Sequence, residues 1–179
     1  MKTTALILLS ALFLCVGCKT QQNSEKAIQQ RLENQLAYEK AVTALDSLDF
    51  VLEADRITFK NGQSTYVNAN TNFISAKGDK ATVQLAFNSA FYSGPNGIGG
   101  ITLDGRISNV KKSIDKKGNV TFSMSVFGTG ISAEVSFTMY NGNNQCSATV
   151  NSNFSSRNIT FSGYLYPSEE SSVFKGRSL

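Results

Sequence analysis

The sequence predicts a mainly β protein: an antiparallel meander of about eight strands, closed as a barrel or folded as a two-layer sandwich, preceded by one amphipathic helix. Three observations lead there. Apolar and polar residues alternate with period two through most of the chain after Asp49, the pattern of half-buried antiparallel strands. Short links bearing glycine or asparagine separate the alternating runs, and such residues accept the positive φ of tight hairpins. Ahead of the strands stands one stretch without glycine or proline whose apolar residues follow an approximate 3.6 period.

The first element, residues 1–17, has the shape of a secretory signal peptide. Lys2 gives the positive start, and Ala5 to Val16 are apolar apart from Ser10. This run is shorter than the ~20 residues a spanning helix needs. The segment Leu14-Cys15-Val16-Gly17-Cys18 resembles the bacterial lipobox, with Cys15 where leucine is usual. That resemblance implies cleavage before Cys18, thioether lipidation of its sulfur, and acylation (palmitate) of the new amino group. More than one acyl chain is what stable anchoring requires. Residues 18–23 then read as a polar tether.

Residues 24–48 form the expected helix. Ser24 caps it, and Ile28, Leu32, Leu36, Val42 and Leu45 make a thin apolar stripe. Such a stripe lies across the main domain or pairs with a partner helix, the first being expected. The β domain spans 49–167. Phe50, Leu52 and Ala54 share a phase that Ile57 and Phe59 break, so a bulge is expected near Asp55-Arg56. Alternation then recurs at Ala81 to Phe87, Val120 to Val126, Ile131 to Met139, Cys146 to Val150 and Ile159 to Leu165. Gly78, Gly118, Gly130 and Gly142 mark turns, Ser93 to Gly100 form the one long loop, and 168–179 make a polar C-terminal tail expected to fray.

Composition excludes several classes of function. The 179 residues contain no histidine, which removes the commonest general base and metal ligand. No metal or other cofactor is expected. Net charge is +4, but the basic residues are scattered. The densest set, Lys111, Lys112, Lys116 and Lys117, surrounds a turn and lacks the stripe and interleaved aromatics of a nucleic-acid site. With Cys15 removed and Cys18 lipidated, Cys146 is the one cysteine left for the folded domain. It alternates with Ala148 and Val150 and is expected as a small buried hydrophobe.

Taken in order, Phe50-Val51-Leu52-Glu53-Ala54-Asp55, Leu85-Ala86-Phe87-Asn88, Gly99-Gly100-Ile101, Lys117-Gly118-Asn119-Val120-Thr121-Phe122 and Ser156-Arg157-Asn158-Ile159-Thr160-Phe161-Ser162-Gly163 resemble an uncharacterised bacterial lipoprotein family, domain of unknown function 4251. The resemblance covers about Phe50 to Pro167. The Leu-Pro-Tyr-Phe-Gly-like segment common in that family is altered at Leu85 to Asn88, where the proline and glycine are absent. It implies a Gram-negative envelope lipoprotein with one β-rich domain, and it carries no catalytic residues. In the phylum where the family is common, surface export tends to follow acidic residues after the lipidated cysteine. Lys19-Thr20-Gln21-Gln22 stand there instead, which implies a lipid anchor in the outer membrane facing the periplasm.

The expected function is that of a non-catalytic envelope module that binds a small ligand or an envelope protein, or serves structure and assembly. It is not expected to be an enzyme; the alternative is a periplasmic hydrolase using carboxylates alone. For that alternative Glu53 and Glu134 would have to face each other within about 5–10 Å, although both fall on the outward phase. Arg157 opens the last strand and suits a carboxylate, either of Glu53 or Asp55 or of an anionic ligand. Tyr164, with Tyr166, Phe91 and Tyr92, is expected at a mouth or groove.

Overall fold

The computed structural model describes residues 17–86, 100–153 and 158–176. A helix α1 (Gly17–Ser47) leads into nine strands: β1 (Asp49–Phe59), β2 (Ser64–Tyr66), β3 (Phe73–Lys77), β4 (Lys80–Ala86), β5 (Gly100–Ile114), β6 (Val120–Phe127), β7 (Ser132–Met139), β8 (Gln145–Ser152) and β9 (Ile159–Pro167). A short 3-10 turn, Ser168–Glu170, follows. The sheet runs β2-β1-β3-β4-β5-β6-β7-β8-β9, and β1 also pairs with β9. That last pairing decides between barrel and sandwich: eight strands close on themselves, and β2 is an extra strand on the far half of β1. Closure removes the open edges that an eight-strand meander would otherwise expose.

Every strand neighbour is antiparallel, and the links are as short as Gly78-Asp79. The expected bulge is present: the β1–β9 register shifts between Ala54 and Arg56. β9 crosses β1 tightly there, because a Cβ on Gly163 would lie 1.9 Å from the Glu53 carbonyl oxygen. Inward residues fill the barrel. Phe50, Phe122 and Phe137 meet edge to face with centroids 5.4 to 5.8 Å apart, a geometry that adds about 0.5–1.5 kcal/mol per pair beyond burial. Cys146 lies among these inward residues. Burial pushes its thiol up to about 12, so it packs as a small hydrophobe.

The helix differs from expectation in two ways. It extends back through the residues expected as a tether, starting at Gly17. Its apolar residues also split between two faces. Tyr38, Ala41, Ala44 and Leu45 are buried against one end of the barrel, whereas Ile28, Leu32 and Leu36 are exposed. Helical spacing explains this: at 100° per residue the buried set lies well round the helix from the exposed set. Tyr38 plugs the barrel end by donating its hydroxyl to the Gly118 carbonyl at 2.5 Å. Burial raises its pKa, with the Asp115 carboxylate adding to the shift. Lys112 pairs with Asp46 of the helix at 2.5 Å.

The C-terminal segment also departs from expectation. Residues 171–176 lie along the outside of β1, β3, β4 and β5 rather than fraying. The Gln84 carboxamide donates to the Phe174 carbonyl at 2.7 Å and accepts from the Gly176 amide at 2.7 Å. Ser171 donates to Glu53 at 2.6 Å, and Lys175 pairs with Asp104 at 2.6 Å. Beneath this segment the outward residues Val51, Phe73, Gln84 and Thr102 are buried.

Candidate functional site

Among the described residues no segment covers the opposite wall. On the outer face of β9, β8, β7 and β6, strand register assembles two adjoining cross-strand rows. One runs Arg56, Ser162, Ser147, Thr138, Thr121, Ser113. The other runs Thr58, Thr160, Thr149, Ser136, Ser123, Lys111. Between β9 and β6 every position in both rows is serine or threonine, and the cations stand at the borders, on β1 and β5. Directly opposite residues have Cβ atoms roughly 5 Å apart, so the wall presents a lattice of hydroxyls spaced by the strands. Thr149 and Thr160 bond each other at 3.2 Å. The hydroxyls of Ser162, Ser147, Thr138, Thr121, Ser136 and Ser123 have no protein partner among the described residues. Each offers one donor and two acceptor positions to whatever covers it.

A groove of about 270 Å³ borders this wall, lined by Asp55, Arg56, Tyr140, Gln145 and Tyr164 among others. The bulge in β1 turns Asp55 and Arg56 outward side by side, and both are exposed. Gln145 stands directly opposite Tyr164 and donates to its hydroxyl at 3.3 Å. Tyr140 is 66% exposed and Tyr164 38%. Two partly open aromatic rings beside an amide, a guanidinium and a carboxylate suit a polar, non-ionic ligand. Rings stack on an apolar sugar face, and the polar groups bond its hydroxyls.

Of the residues singled out from the sequence, Tyr164 lies in this groove. Tyr166 points elsewhere, in register with Val51, and its pKa is raised by burial and by Glu53. Arg157, Phe91, Tyr92, the leader before Gly17 and all of the long loop before Gly100 lie outside the described residues. Glu53 and Glu134 are not brought together. Glu53 on β1 accepts from Ser171, while Glu134 is exposed on β7, three strands away around the barrel. Three strand spacings of ~4.8 Å separate them by about 14 Å across the sheet, and the register adds six residues along it, Glu53 aligning with Gln145 and Glu134 with Asn151 on β8. The hydroxyl rows were visible in the sequence only as separate polar phases; which phases align depends on register. No helix among the described residues is long and apolar enough to cross a membrane.

Comparison with known proteins agrees with this architecture. The pattern of the family Domain of unknown function (DUF4251) matches residues 32–165. The chain belongs to the DUF4251 family. A crystal structure of a DUF4251 family protein from Bacteroides eggerthii DSM 20697 is similar at 47% identity and a TM-score of 0.71, over 83% of this chain and 99% of that one. No curated protein matches the chain. The family's function is unknown.

Proposed function

We propose that this DUF4251 protein is an envelope lipoprotein, held to the outer membrane through Cys18 and facing the periplasm, whose barrel binds an extended neutral saccharide on its hydroxyl wall without transforming it. The observation that carries this reading is the register of Ser162, Ser147, Thr138 and Thr121 against Thr160, Thr149, Ser136 and Ser123. An uncharged lattice of hydroxyls complements a ligand that is itself a row of hydroxyls, and Tyr164 with Tyr140 gives one end of the wall a stacking platform. Each hydrogen bond to such a ligand adds only about 0.5–1.5 kcal/mol net, so affinity comes from many contacts along an extended chain. The lipid anchor rests on the leader and on Cys18. The helix beyond Cys18 then acts as a spacer, since the run from Cys18 to Tyr38 measures roughly 30 Å at the helical rise.

Two experiments test the two halves separately. Metabolic labelling with an alkynyl palmitate is expected to mark the wild-type chain and not Cys18→Ala, and equal labelling of both would contradict the anchor. Retention of the purified domain on insoluble neutral polysaccharide is expected to fall in Tyr164→Ala and in Ser147→Ala/Ser136→Ala. Retention unaffected by either variant would remove the binding face.

A further inference from the structure

On the side of the barrel across from the hydroxyl wall, cations are stacked where a sheet normally separates them. Lys77, Lys80 and Arg106 are successive Cα partners on β3, β4 and β5, and Phe127 on β6 is the next partner after Arg106. All four therefore share one outward row. Like charges placed directly opposite destabilise a sheet; Asp49 on β1, the Cα partner of Lys77, offsets this at one end of the row, and Lys80 stands between two cations. Neither Lys77 nor Lys80 has a hydrogen-bond or ion-pair partner among the described residues. The nearby carboxylates are partly committed. Asp104 accepts from Thr82 at 2.5 Å and pairs with Lys175 at 2.6 Å. Asp79 reaches Arg106 only at 3.8 Å, with the arginine side chain 81% exposed.

The row borders a groove of about 580 Å³ lined by Lys80, Arg106, Lys175 and Phe127, with Gly105 and Gly128 in its lining. Those two glycines are needed for the close approach. A Cβ on Gly105 would lie 2.6 Å from the Phe127 carbonyl group, and one on Gly128 would lie 2.4 Å from the Asp104 carbonyl oxygen. The tight crossing sets Phe127, 54% exposed, beside Arg106. An aromatic face next to Lys80, which has no partner among the described residues, and Arg106, held only by Asp79 at 3.8 Å, joins two recognition chemistries: stacking for a sugar ring and charge-assisted hydrogen bonds for an anionic substituent.

We propose that this groove is a second binding site, taking an acidic saccharide whose ring lies on Phe127 and whose carboxylate or phosphate sits between Lys80 and Arg106. It is independent of the hydroxyl wall, which carries no charge between its borders. The test is calorimetry on the full barrel with trigalacturonate, its neutral galactose trimer and inorganic phosphate as probes. Trigalacturonate is expected to bind, with affinity falling about tenfold or more in Lys80→Gln/Arg106→Gln, as loss of charge-assisted contacts requires, and falling as salt is raised. Phe127→Ala is expected to weaken trigalacturonate and leave phosphate unaffected. These residues are exposed, so the variants are expected to melt with the wild type, which separates lost binding from lost folding. Absence of trigalacturonate binding, equal binding of the neutral trimer, phosphate binding as tight as the uronate, or unchanged affinity in the double variant would each overturn the proposal.

Discussion

Strands β6 to β9 and strands β1 to β5 turn the same kind of aliphatic and aromatic residue inward, yet their outer faces are made of different residues. Outside β1, β3, β4 and β5 stand Val51, Phe73, Gln84 and Thr102, buried beneath residues 171–176. Outside β6 to β9 two rows of hydroxyls stand, most of them without a protein partner among the described residues. A face covered by its own chain can carry apolar side chains, provided each buried polar group is paired. Gln84 meets that condition by bonding Thr71, Thr102, Phe174 and Gly176. Rows of short hydroxyl side chains gain little from being covered by protein, because water satisfies them when they are left open. The difference assigns stability to the tail-covered part of one wall and recognition of a neutral ligand to the other.

Four perturbations sharpen or break that division. The largest effect is expected in the shared core: Phe122→Ala removes one ring from the edge-to-face trio and is expected to cost about 3–5 kcal/mol, read as a lower denaturant midpoint. Next is Gln84→Ala, which strips partners from the tail backbone and from Thr102. It is expected to cost about 1–3 kcal/mol and to make the C-terminus sensitive to carboxypeptidase. An unchanged midpoint and a protected tail would mean that the tail is not held as described.

Tyr38→Phe removes the hydroxyl bonded to Gly118, at a cost of about 1 kcal/mol. The folded state holds the Tyr38 proton more tightly than the unfolded chain does. The stabilisation is therefore complete below the unfolded tyrosine value of ~10 and is lost as pH rises through the higher folded value. The wild type is expected to lose stability above pH ~10, and the phenylalanine variant to lose less. The smallest effect is expected on the hydroxyl wall, where Ser136→Ala and Ser147→Ala are each expected to stay within about 0.5 kcal/mol of the wild type. A large destabilisation there would make the wall structural and undo the comparison.

Much of the fold is legible in the sequence because period two is strong wherever one face is buried. β6 to β9 read cleanly, and the break in phase after Ala54 locates the bulge. β5 does not read cleanly. Asn109 adopts a φ of 52°, and the register shifts between Ser108 and Lys111, so the inward phase changes partway along the longest strand. β2 is three residues long and too short to show a period. The docking of the tail depends on Gln84, Glu53 and Asp104 meeting residues about 70 to 118 positions away, which local pattern cannot reveal. The candidate site was half legible. Tyr164 and the separate polar phases were visible, but the alignment of Ser162 with Ser147, Thr138 and Thr121 is a property of register.

The most direct measurement of the central claim is an NMR titration of the ¹⁵N-labelled barrel with a neutral β-linked N-acetylglucosamine tetramer. Amide shifts are expected at Thr121 to Ser123, Ser136 to Thr138, Ser147 to Thr149 and Thr160 to Tyr164, with Val51, Phe73, Gln84 and Thr102 unmoved. Shifts centred on the tail-covered wall, or none at millimolar saccharide, would contradict the assignment of recognition to the hydroxyl wall.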